Sequence, residues 1–140
     1  MESYMNRISN TGIVPVVKIL EKEDAYPLAK ALLNGGIDVI EVTYRSEHAT
    51  SAIQTISEQL PDMLVGAGTV LSVEQAKEAV EAGAKFIITP GFNTKVVQWC
   101  LDHDVEVYPG VSTASEVEMA LSIGSVSYTH LRAHETGRNL

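Results

Sequence analysis

Residues that could do chemistry stand at or just after the ends of short apolar runs. Glu41 follows the run at 37–40, and Arg45 comes four residues after it. A carboxylate that enters an apolar strand is costly unless it is paired, hydrogen-bonded or neutral, so its pKa should respond to its surroundings. Next to an arginine, such a group is typical of a general acid or base beside an anion clamp. A solvated salt bridge at the end of a strand would show the same spacing.

Two further runs end in small or stiff residues. The motif GAGT at 66–69 precedes a predicted helix; its small residues would let a ligand approach the backbone, and Thr69 could donate to an oxyanion. The motif TPG at 89–91 forms an extended turn in which Pro90 would present a rigid apolar wall. PG at 109–110 repeats this pattern one unit later. Each motif taken separately also fits an ordinary turn.

The elements that must position these residues alternate regularly. Strand-like runs recur about every two dozen residues, a period that fits βα units. Between them lie apolar stripes with helical spacing and their own caps. Strands are predicted to begin near Ile13, Ile37, Met63, Phe86 and Val105, and helices to run from Ala25 to Gly35, from Ser46 to Pro61, from Ser72 to Gly83, from Asn93 to beyond Leu101, and from Thr113 to Gly124.

This alternation predicts an α/β fold with parallel strands covered by helices. A closed (β/α)8 TIM barrel and an open doubly wound sheet both fit, and the short, even units favour the barrel. Eight units need roughly 200 residues or more, so the 140 residues present should hold only about the first five. The pattern stops after Gly124. We therefore predict a partial barrel at 1–124 and an unrelated polar tail at 125–140, disordered or foreign to the parent gene.

Composition excludes several classes of protein. A hydrophobic content of 45% with 20% charged residues is ordinary for a globular domain. The net charge of -8 argues against nucleic-acid and acidic-membrane partners. No apolar run approaches the roughly 20 residues of a membrane span, so we expect a cytoplasmic protein. Cys100 is predicted to pack in the core. No metal site is expected, since His48 and His103 have no second ligand at metal-binding spacing, and His130 and His134, which have that spacing, lie in the predicted tail.

Five blocks of sequence occur in a specific order: GIVPVV (12–17), GGIDVIEVTYRS (35–46), VGAGTV (65–70), EAGAKFIITPGF (81–92) and YPGVSTASEVEMALSIG (108–124). Together they resemble the 2-keto-3-deoxy-6-phosphogluconate (KDPG) / 4-hydroxy-2-oxoglutarate (KHG) aldolase family. The resemblance implies a (β/α)8 class I aldolase, usually a homotrimer, that needs no cofactor or metal. It would cleave one of these small-molecule 2-keto acids to pyruvate and an aldehyde. By the same likeness, Glu41 transfers the proton, Arg45 and Thr69 hold the pyruvyl carboxylate, and Pro90 lines the pocket.

The chain departs from this family at the residue on which the chemistry depends. The resemblance puts the Schiff-base lysine in a Lys-x-Phe-Pro-like block soon after the helix that ends at Gly124. Residues 125–128 read SVSY instead, and no lysine follows Lys95. The mechanism needs an amine to form an iminium, which accepts electrons when the carbon-carbon bond breaks. We therefore expect the chain to be inactive by itself. The alternatives are a phosphate-binding barrel isomerase or epimerase that uses Glu41, and a non-enzymatic fragment that pairs through open strand edges.

Overall fold

The computed structural model describes residues 4–110, apart from the side chains of residues 5 and 9. Strands and helices alternate through this part of the chain, as predicted. The strands are β1 (Val16–Val17), β2 (Val39–Thr43), β3 (Leu64–Gly68), β4 (Phe86–Thr89) and β5 (Glu106–Pro109), and the helices are α1 (Met5–Thr11), α2 (Ala25–Asn34), α3 (Ala49–Gln59), α4 (Val73–Ala82) and α5 (Thr94–Asp102), with a 3-10 turn at Lys22–Asp24.

The order of the strands distinguishes the two predicted architectures. All five strands are parallel and pair in chain order, from β1 to β5. A doubly wound sheet would reverse its order at a switch point and carry helices on both faces, whereas α2 to α5 all pack on one face. This helix-covered face is apolar, with Ile40, Val42, Val65, Ala67, Ile87 and Val107 buried against the helices. The described residues are therefore about the first five units of a barrel, as predicted.

The opposite face of the sheet, here called the inner face, carries the alternate side chains of each strand. At its amino-terminal end lies a second apolar cluster formed by Val39, Leu64, Phe86 and Tyr108. Helix α1 covers this cluster. Tyr4 packs against it, and the Tyr4 backbone N–H donates to Glu106 Oε2 at 2.6 Å. The amino-terminal end of the inner face is thus filled, which leaves its carboxyl-terminal end for a site.

Helix α1 is the element that the sequence did not predict. The guanidinium of Arg7 donates to the backbone oxygen of Asp62 at 2.6 Å and forms an ion pair with Asp38 at 3.2 Å. These partners lie just before β2 and just before β3, so α1 is tied to the amino-terminal ends of two strands. A helix this short depends on such tertiary contacts, which its own sequence does not reveal.

The predicted starts of α2, α4 and α5 are confirmed, and the predicted start of α3 is wrong. Ser72 caps α4 by accepting from the Gln75 N–H at 3.1 Å, and Asn93 caps α5. Helix α3, however, begins at Ala49 and not at Ser46. The Ser46 hydroxyl donates to the backbone oxygen of Ile19 and accepts from the His48 N–H at 3.0 Å, so it fixes the loop before the helix.

Strand β1 is shorter than predicted, because only Val16–Val17 pairs as a strand of the expected run from Ile13. The predicted helix from Thr113 to Gly124 and the predicted tail at 125–140 lie outside the described residues. Within the part of the chain that is described, no helix has both the length and the apolar character to cross a membrane.

Candidate active site

The four predicted site residues lie on three adjacent strands, within or just beyond their carboxyl-terminal halves. Glu41 is the middle residue of β2, and Arg45 follows the end of that strand by two residues. Thr69 follows β3 directly, and Pro90 follows β4 directly. Parallel strands in register present their carboxyl ends at one rim, which is where barrel enzymes carry their active sites. The structure therefore brings all four residues to the same end of the sheet.

Glu41 is held in a space that a glycine leaves open. The residue is buried, with 8% of its surface exposed, and its carboxylate lies over Gly68 on the neighbouring strand, where an added Cβ would overlap it. The ring of Phe86 fills the corresponding space over Gly66. The motif at 66–69 predicts room for a ligand against the backbone. The structure shows that its two glycines make room for two side chains of the protein itself.

The carboxylate of Glu41 extends toward the rim. Glu41 pairs with Gly66, but its side chain overlies Gly68, whose own partner in the register is Thr43. The carboxylate therefore lies about two residues nearer to the carboxyl ends of the strands than the Glu41 backbone does. In that position it can meet a ligand that binds at the mouth of the sheet.

The loop that carries Arg45 is fixed on both sides, while Arg45 itself is exposed. On one side, the Tyr44 N–H donates to the backbone oxygen of Gly68 at 2.8 Å, and the Tyr44 hydroxyl shares a hydrogen bond of 2.8 Å with Thr50. On the other side, Ser46 bonds to Ile19. Burial raises the pKa of Tyr44 above its ordinary value, so its hydroxyl stays protonated in this bond. The guanidinium thus projects from an anchored backbone.

Thr69 has a left-handed backbone conformation, with φ of 53°. This region is unfavourable for a β-branched side chain, and such strain costs on the order of 1–3 kcal/mol and gathers at functional sites. The next residue, Val70, is fully buried, and its N–H donates to the backbone oxygen of Ile88 at 3.3 Å. The surrounding structure therefore holds the half-buried Thr69 in its strained conformation at the rim.

Pro90 is half-buried in a turn that is tied to β5. The hydroxyl of Thr89 donates to the backbone oxygen of Gly91 at 2.6 Å, which closes the turn around the proline. The Gly110 N–H donates to the backbone oxygen of Thr89 at 2.9 Å. A Cβ on Gly110 would lie 2.5 Å from the Pro90 oxygen, so the close approach of the two loops depends on that glycine.

Sequence reasoning missed Thr43, which is 1% exposed and ends β2 two residues after Glu41. The alternation of side chains along a strand puts both residues on the inner face, which is the one signal in the sequence that places Thr43 near the acid but does not by itself mark it as a site residue.

Other titratable groups do not extend the site. Cys100 is buried in the helix-covered core, as predicted, and burial raises the pKa of its thiol to about 12, so it is not a reactive thiolate. Within residues 4–110, no three His, Cys, Asp or Glu side chains gather closely enough to hold a metal ion.

Comparison with known proteins identifies the family. The model of the family described as KDPG and KHG aldolase matches residues 4–138. The 2-dehydro-3-deoxy-phosphogluconate aldolase of Treponema pallidum is 47% identical over 124 residues, which are 89% of this chain and 59% of that protein. The chain belongs to the KDPG and KHG aldolase family. The matched relatives in this family are named as aldolases, which are lyases.

Further relatives in the family agree. The KHG/KDPG aldolase of Escherichia coli K12 is 40% identical over 131 residues, or 93% of this chain and 62% of the relative. The crystal structure of KDPG aldolase from Legionella pneumophila, with pyruvate captured as a covalent carbinolamine intermediate, has a TM-score of 0.76 and 41% identity. It is matched over 79% of this chain and 54% of that one. The chain thus spans less than two thirds of the length of these family members.

Proposed function

We propose that this chain carries the proton-transfer and carboxylate-binding part of a class I aldolase for KDPG or KHG. Glu41 transfers the proton, Arg45 and Thr69 hold the carboxylate of the pyruvyl group, and Pro90 lines the pocket. The observation that carries this proposal is the position of the Glu41 carboxylate, which overlies Gly68, the residue before the strained Thr69. Membership of an aldolase family does not favour the isomerase or epimerase alternative.

Each residue would make a distinct contribution. An arginine can bind a carboxylate through two parallel charge-assisted hydrogen bonds, and the exposed Arg45 on its anchored loop is suited to capture one. The hydroxyl of Thr69 would donate to the same carboxylate. In the direction of cleavage, Glu41 would take the proton from the hydroxyl at C4 while the C3–C4 electron pair moves into an iminium formed on a lysine.

Formation of that iminium requires the amine of a lysine. No lysine follows Lys95 in the sequence, and we propose that the chain by itself binds a 2-keto acid without cleaving its substrate. For the parent protein, we propose a homotrimer in the cytoplasm that acts on a small-molecule 2-keto acid. The net charge of -8 supports the absence of nucleic-acid and membrane partners.

Pyruvate binding tests the carboxylate site. Pyruvate is titrated into the full chain, and amide chemical shifts are followed by NMR. The variant Arg45→Met, which keeps the apolar stem, should bind pyruvate at least about tenfold more weakly, because a charge-assisted pair is lost. Arg7→Met removes an arginine at the opposite end of the strands and should bind within about twofold of the unmodified chain. Equal affinity of the chain and Arg45→Met would refute the proposal.

Trapping with borohydride tests the absence of aldolase chemistry. The chain is incubated with pyruvate and borohydride and then digested for mass spectrometry. We expect no lysine to gain the mass of a reduced pyruvyl adduct. Lys18, which is exposed one residue beyond β1, is the first residue to inspect. An adduct there that disappears in Lys18→Arg would show that this chain forms a Schiff base after all.

A further inference from the structure

Three polar or charged residues among those described are buried: Glu41, Thr43 and Thr89. The hydroxyl of Thr89 donates to the backbone oxygen of Gly91. In contrast, Thr43 Oγ1 has no hydrogen-bond partner, and it is the one buried side-chain polar atom within residues 4–110 for which this holds. Buried polar groups are nearly always paired in native proteins, so an orphaned hydroxyl needs an explanation.

The position of Thr43 supplies this explanation. It is the last residue of β2, and it pairs in register with Gly68. The Glu41 carboxylate overlies that same glycine. The orphaned hydroxyl and the acid group therefore lie at the same level of the inner face, at the mouth of the candidate site. Helix α1 packs against the apolar cluster at the other end of this face, away from the hydroxyl.

We infer that the Thr43 hydroxyl is a ligand-binding group that donates a hydrogen bond to an oxygen of the 2-keto acid bound beside Glu41. This inference rests on the proposed function. Every oxygen of pyruvate is an acceptor, and an ionised glutamate cannot donate to it. A neutral hydroxyl next to the acid supplies the missing donor.

Two substitutions separate a binding role from a structural one. Thr43→Val has the same shape but no hydroxyl, and Thr43→Ser keeps the hydroxyl. Both are made in the full chain, and both are measured for pyruvate affinity by NMR titration and for the urea midpoint of unfolding without ligand. Thr43→Val should bind pyruvate about fivefold more weakly, as expected for one lost hydrogen bond. Thr43→Ser should bind within about twofold of the unmodified chain.

The ligand-free midpoint provides the second readout. Because the hydroxyl has no partner there, Thr43→Val should unfold at the same urea concentration as the unmodified chain, or at a higher one. A lower midpoint for Thr43→Val, or unchanged pyruvate affinity, overturns the inference. If Arg45→Met weakens binding while Thr43→Val does not, only the role of Thr43 fails. If neither substitution changes the titration, the proposed function fails with it.

Discussion

The carboxylate of Glu41 occupies the space that a side chain at Gly68 would need. The acid thus lies in the space that Gly68 leaves on the neighbouring strand because it has no side chain. The backbone oxygen of Gly68 also accepts a hydrogen bond from the N–H of Tyr44, the residue before Arg45. One glycine therefore sets the position of the acid and helps to anchor the loop of the arginine.

Gly68→Ala should displace the Glu41 side chain. Overpacking of a buried site typically costs about 1–3 kcal/mol, and we expect the free energy of unfolding in urea to fall by that amount. Pyruvate affinity should fall as well. Gly91→Ala is the matched control, since an added Cβ there meets nothing within 4 Å. If both variants unfold at the same urea concentration, Gly68 does not constrain the acid.

Ser46→Ala should loosen the loop that carries Arg45. The variant loses the bond to the Ile19 oxygen and the bond from the His48 N–H, which together should lower the free energy of unfolding by about 1 kcal/mol or more. Pyruvate affinity should decrease with it. Ser51→Ala removes an exposed hydroxyl that donates to the His48 oxygen at 3.2 Å, and it should change stability by less than about 0.5 kcal/mol. Equal losses in the two variants would contradict a tethering role for Ser46.

Glu106→Ala should destabilise the amino-terminal end of the inner face. Glu106 accepts from the hydroxyl of Tyr108 and from the backbone N–H of Tyr4. Removing the carboxylate leaves a buried donor unpaired, at a cost of about 1–3 kcal/mol. Adding Tyr108→Phe should recover part of this loss, with a coupling of about 1 kcal/mol in a double-mutant cycle measured by urea unfolding. Glu81→Ala, on the exposed side of α4, serves as the control. Strict additivity in the cycle would mean that the two side chains do not interact.

Cys100 should make stability decrease at alkaline pH. Burial raises the pKa of its thiol from 9.0 to about 12, so the folded state keeps the proton that the unfolded state has released. The contribution to stability is complete below pH 9 and is lost as the pH rises toward 12. Burial raises the pKa of Tyr44 and Tyr108 in the same direction. Urea midpoints between about pH 8 and 10.5 should therefore fall less steeply in Cys100→Ala. If the urea midpoints of the unmodified chain and of Cys100→Ala fall equally with pH, burial does not protect the thiol from deprotonation.

The strands and most helices of this fold could be predicted because their signals are local. Apolar runs stop at rim residues, and Ser72 and Asn93 cap the helices that they precede. Helix α1 could not be predicted, because its stability comes from Asp38 and Asp62, which are distant in sequence. The start of α3 could not be predicted for the same reason, since the Ser46 hydroxyl bonds to the backbone oxygen of Ile19, which is distant in sequence.

Part of the candidate site could be predicted from the sequence, because its signals are also local. Polar residues at strand ends stand out, and these are Glu41, Arg45 and Thr69. Thr43 does not stand out, because a threonine at the end of an apolar strand is common. Only its burial and its orphaned hydroxyl show that it differs. That information depends on packing across strands, which a single sequence does not carry.

The left-handed backbone of Thr69 has a consequence for laboratory evolution. A screen that selects only for heat resistance should enrich glycine or asparagine at this position, since both adopt the conformation more readily. Neither replacement retains the hydroxyl proposed to bind the carboxylate. Selection for thermal endurance and selection for catalysis in a full-length relative should therefore favour different residues at the same codon.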